Sequence, residues 1–134
     1  MSEDLLFKRK HFTYERILRV GVCGTFFGHG LLALMVNPKW IPLLTVYGFS
    51  VETACKLMPI IGVIDVVVAL IVLLYPLRIV IMWAAFWAFA TAITRPIAGE
   101  SFIEFVERSA NWAAPLALLF IQGFPKKPKQ WFSR

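Results

Sequence analysis

Seven side chains set in or beside otherwise apolar stretches can do polar chemistry: His29, Asp65, Arg95, Glu104, Glu107, Arg108 and Asn111. Placing an ionisable group in a membrane span costs roughly 2.5–3.5 kcal/mol on insertion scales, so each needs a use. His29 can pass a proton or donate to a quinone-type oxygen. Asp65, deep in its stretch, can form the inner end of a proton relay. Arg95 and Arg108 can hold an anion or polarise a carbonyl. Glu104, Glu107, Arg108 and Asn111 follow at spacings of three, one and three, on one stripe of a helix. A second reading stays open beside this one. The same charges can fix helices to one another, with Asp65 paired to Arg95 and Glu104 or Glu107 paired to Arg108.

Other chemistries lack their residues. His29 with Asp65, Glu104 or Glu107 has no metal-ligand spacing, so a metal is disfavoured. A bis-histidine haem is disfavoured as well, because His11 precedes the first apolar stretch. Ser50, Ser101 and Ser109 have no adjacent histidine, and there is no glycine-rich phosphate loop. Cys23 and Cys55 do not form a C-x-x-C pair and read as semi-buried thiols.

The elements that must position these residues are membrane helices. Of 134 residues, 59% are hydrophobic and 16% charged, where a soluble domain carries about 25% charged. The mean hydropathy is +0.71. So small a chain cannot bury that much apolar surface without lipid. A span needs about 20 apolar residues. Four segments qualify, at about 16–36, 51–75, 78–95 and 102–123. The expected fold is an all-α, integral membrane four-helix bundle in a single domain. Ser50 and the Ser101–Glu104 capping box mark helix starts. Pro76 leaves a tight turn, which makes the second and third helices antiparallel neighbours. Pro115 should kink the fourth.

The basic residues orient the bundle. Lys8, Arg9, Lys10, Arg16, Arg19, Arg78, Lys126, Lys127, Lys129 and Arg134 fall on the side of the chain termini. Lys39, Lys56, Arg95 and Arg108 fall on the other. Both termini are therefore expected in the cytoplasm. With no nucleic-acid motif, the net charge of +6 reads as contact with anionic lipid. The apolar segment 41–49 is too short to span, and lies along the surface or covers the outer mouth of the bundle. Gly21, Gly24 and Gly28 share one face and suit close packing. So do the stripes Gly62–Asp65–Ala69 and Ala84–Ala88–Thr91, the latter leading to Arg95.

Several short motifs carry a family resemblance. They are Arg19-Val20-Gly21 leading to Phe27-Gly28-His29-Gly30, Gly62-Val63-Ile64-Asp65, Arg95-Pro96-Ile97-Ala98-Gly99-Glu100, and Glu107-Arg108-Ser109-Ala110-Asn111-Trp112. With the span pattern they resemble the DoxX-like group of small four-helix bacterial membrane proteins. The lysine that often follows the His-Gly pair in that group is absent from Leu31–Leu34. The resemblance implies a multi-pass protein of the bacterial inner membrane. It also implies an accessory role in a quinone-linked redox assembly with other membrane subunits. A small proton-coupled transporter and a stand-alone membrane enzyme are the alternatives.

Overall fold

The long apolar stretches favour continuous helix, and helix forms even across Pro59 and Gly62 in the second of them. A computed structural model describes residues 2–134 and is all-α. Its segments are α1 (Glu3–Leu34), α2 (Ile41–Thr45), α3 (Val51–Leu74), α4 (Arg78–Ile97), α5 (Phe102–Glu107) and α6 (Ser109–Gln122). Short 3-10 turns cover Pro38–Trp40 and Pro128–Phe132. Helices α1, α3 and α4 are long and apolar enough to cross a bilayer. They make this a candidate multi-pass membrane protein in contact with lipid.

The starts and stops follow local chemistry. Ser50 caps α3 by accepting from the Thr53 amide at 3.1 Å. Ser101 caps α5 by accepting from the Ile103 amide at 3.3 Å. The full capping box does not form, because the Glu104 carboxylate turns to Arg108. Helix α1 begins well before residue 16. Its 32 residues span about 48 Å, roughly 18 Å more than a bilayer core. Hydropathy is blind to this extension, because residues 3–15 are charged yet good helix formers. It is held to the bundle by the His11 ring, whose Nε2 donates to the Ile121 carbonyl at 2.8 Å. The segment 102–123 is not one helix. It breaks at Arg108, where φ −91 and ψ 10 separate α5 from α6. Pro115 lies buried inside α6, seven residues beyond that break.

Helix α1 packs mainly on α3, and α4 mainly on α6; α3 and α4 touch sparingly beyond their Tyr75–Pro76–Leu77 turn. The α1–α3 seam is set by glycine, though not by the expected stripe. Gly21, Gly24 and Gly28 have open space where a side chain would stand. The close approach is Gly30 against Gly62. A Cβ on Gly62 would come 2.7 Å from the Gly30 carbonyl oxygen, and one on Gly30 2.9 Å from that of Gly62. The face bearing Gly62, Asp65 and Ala69 is buried as expected. The core, with Val22, Phe26, Val68, Val72, Ile81, Ala84, Leu118 and Leu119, fills the half of the bundle near the chain termini. The other half is not filled.

Candidate functional site

In that other half the helices enclose a cavity of about 370 Å³. Its size lies at the low end of small-molecule sites, about 300–1,000 Å³. The walls are mostly apolar, with Phe26, Met58, Ile61, Phe86 and Ala90 among them. The polar groups come from every long element: His29 from α1, Asp65 from α3, Trp87, Thr91, Thr94 and Arg95 from α4, Asn111 from α6, and Arg108 from the α5–α6 break.

The glycine seam lies beside two of these. Gly30, which follows His29, packs against Gly62 and Val66, which flank Asp65 on α3. Asp65 is 5% exposed. Its Oδ1 is buried without a hydrogen-bond partner. The carboxylate faces the Trp87 indole. A buried polar atom left unpaired costs about 1–3 kcal/mol.

The expected Asp65–Arg95 ion pair is absent, and helix geometry gives the reason. Asp65 faces Trp87, and Arg95 lies eight residues further along α4, about 12 Å up the axis. Arg95 instead turns to Glu100, with its Nη1 3.3 Å from each carboxylate oxygen. Gly99, at φ 94, takes the left-handed conformation that turns the chain between α4 and Glu100. Arg108 donates to the Glu104 carboxylate at 2.6 Å and to the Glu104 carbonyl at 2.7 Å, and lies 3.2 Å from Glu107. The second expected pairing therefore forms, and with both glutamates. The mouth holds two guanidinium groups matched by three carboxylates. Both guanidinium groups therefore already have carboxylate partners.

A lid covers the mouth. After α1, Val36 takes φ 52, a left-handed conformation that costs a residue with a Cβ roughly 1–2 kcal/mol. The chain then turns back over the cavity as Pro38–Trp40 and α2. The Trp40 ring stands edge-on to His29 at 5.6 Å and lies 5.9 Å from the Arg95 guanidinium. The Tyr47 hydroxyl meets Thr94 Oγ1 at 2.7 Å. Since Thr94 donates to the Ala90 carbonyl, the Tyr47 proton points to Thr94. Leu43, Leu44 and Tyr47 complete the roof. Of the two arrangements expected for 41–49, the chain adopts the covering one.

Comparison with family models, curated proteins and solved structures finds no match. The site therefore rests on this chain's own geometry. Of the seven residues singled out by sequence, His29, Asp65, Arg95, Arg108 and Asn111 converge on the cavity. Glu104 and Glu107 do not line it; they brace Arg108 from its more exposed side. Among the described residues no group of three or more His, Cys, Asp or Glu could hold a metal. Trp40, Tyr47, Trp87 and Thr94 were not foreseen as parts of a site. Trp40 and Tyr47 are of residue types that equally suit a membrane–water interface. Trp87 and Thr94 lie in an apolar helix where only the Ala84–Ala88–Thr91 stripe pointed inward.

Proposed function

We propose that the chain crosses the bilayer four times, with α5 and α6 together making the fourth crossing and both termini in the cytoplasm. The segregation of basic residues to the terminal side supports that orientation. We infer further that the outer half holds a flat, carbonyl-bearing, lipid-soluble molecule of the quinone type. The observation that carries this reading is Asp65: buried, with an unpartnered oxygen, on an aromatic-walled cavity that His29 also lines. A carboxylic acid and an imidazole can each donate to a carbonyl oxygen, and each can exchange a proton as the ring is reduced. The resemblance to DoxX-like proteins supports the same assignment: an accessory subunit of a redox assembly in the bacterial inner membrane.

The unpaired Asp65 also suits a proton-coupled carrier. That reading needs a second opening, and the terminal half is closed by Val72, Ile81, Leu118 and Leu119. A binding site closed toward the chain termini fits better.

Trp40 and Trp87 line the cavity and supply the assay. A short-chain naphthoquinone added to purified protein in detergent is expected to quench tryptophan fluorescence saturably. His29→Ala should weaken that binding at least tenfold. Linear quenching, unchanged in the variant, would sink the assignment. The accessory role is tested separately by isolation from native membranes: a chain recovered only alone and monomeric would remove it.

A further inference from the structure

We propose that the ligand enters and leaves sideways, from the lipid, between α3 and α4, and that it is a long-chain lipid of which only the head is enclosed. This rests on the reading of the cavity as a quinone-type site and adds its route and its class of ligand.

Four observations carry the route. The water-facing mouth is roofed, with the lid tied to α1 through Trp40 on His29 and to α4 through Tyr47 on Thr94. The terminal end is filled by core. The α1–α3 and α4–α6 seams are tight, whereas α3 and α4 touch sparingly. Finally, Phe86 lines the cavity yet is 60% exposed, so the cavity reaches the outer surface of the bundle at this residue. On α4, Phe86 and Ala90 are one turn apart and form the near edge of the gap. Ile61 on α3 forms the far edge. Exposed Ile64 and Val67 on α3 and Ile79 on α4 give these two helices an apolar outer surface suited to acyl or isoprenoid chains.

The class of ligand follows from volume and charge. About 370 Å³ suits a one- or two-ring head and leaves no room for a long tail. A chain leaving past Phe86 stays in hydrocarbon and loses nothing by remaining there. The arginines at the mouth are already matched by Glu100, Glu104 and Glu107, so a neutral head is preferred to an anionic one.

The test uses photolabelling in proteoliposomes. The probe is a long-chain naphthoquinone with a diazirine on the first chain carbons, applied to the full chain. Crosslinks are mapped by mass spectrometry, with a tail-less naphthoquinone as competitor. Labelling at Phe86, Ala90 or Ile61 that the competitor suppresses at least fivefold is the expected result. Competitor-sensitive labelling at Leu43 or Leu44 would place the chain through the lid and overturn the lateral route, while leaving the site itself standing. If the tail-less compound neither quenches tryptophan nor suppresses any label, the site reading fails, and the route fails with it.

Discussion

The two ends of the bundle use arginine in opposite ways. At the terminal end Arg19 and Arg78 satisfy helix C-termini, whose last carbonyls have no partner within the helix. Arg19 donates to the carbonyls of Val72 and Leu73 at the close of α3. Arg78 donates to Gln122 at 2.6 Å and Gly123 at 2.9 Å at the close of α6. It also grips the tail, through Ser133 Oγ at 2.6 Å and the Arg134 carbonyl at 3.1 Å. These contacts close helix ends and hold the tail. At the cavity end Arg95 and Arg108 are matched by carboxylates, line open space, and stand above an acid with one unpartnered oxygen. One end is filled, with Gln122 Oε1 left unpartnered there; the other keeps Asp65 Oδ1 unpartnered beside a void. Keeping a void lowers stability, so on the proposed reading the contrast separates what holds the fold from what would serve a ligand.

Replacing Asp65 tests that contrast most severely. Asp65→Leu removes an unpartnered buried acceptor and fills part of the cavity. It should raise stability in detergent by about 1–3 kcal/mol, read by thermal unfolding, while abolishing saturable quinone quenching. A destabilised Asp65→Leu would mean that the acid holds the bundle after all, and the two ends would no longer differ.

The opposite result is expected at the other end. Arg78→Ala strips partners from the Gln122 and Gly123 carbonyls and frees the C-terminal tail. A loss of about 1–3 kcal/mol is expected, with quinone affinity within twofold of the parent once both proteins are folded. The same unfolding and fluorescence measurements check it. Loss of binding at equal stability would show that the ends communicate.

How much of this contrast could be read from sequence depends on whether the signal was local. Helix positions followed from apolar run length, and the caps at Ser50 and Ser101 from residue type. Five cavity residues were legible because an ionisable or amide group in an apolar run stands out by itself. Their partners were not. Asp65 and Arg95 both looked inward, but only the register of α3 against α4 puts Asp65 beside Trp87 and leaves Arg95 eight residues, about 12 Å, further along α4. The glycine stripe misled for the same reason. Spacing identifies a face, but which face meets a neighbour is a property of the whole bundle. The lid was half legible: segment 41–49 was too short to span, while its bond to Thr94 joins residues 47 positions apart. Arg108 breaks the last helix through a backbone conformation that residue type does not announce.

The smallest predicted effect concerns the lid. Tyr47→Phe deletes one hydroxyl and therefore one hydrogen bond, worth about 0.5–1.5 kcal/mol. The Trp40 contacts to His29 and Arg95 remain, so the lid should loosen without leaving. Because α2 is short and rests mainly on α3, it can open without unfolding the bundle. Amide exchange at the Val46 and Tyr47 amides, which bond to Pro42 and Leu44, should then rise about two- to tenfold. Exchange within α3 should stay unchanged. A ligand that enters through the lipid gap should bind Tyr47→Phe at nearly the parental rate. A ligand that enters from water should bind it faster by the same factor as the exchange. Measured on one variant, the two rates decide whether the cavity end is open to the bilayer or only covered from water.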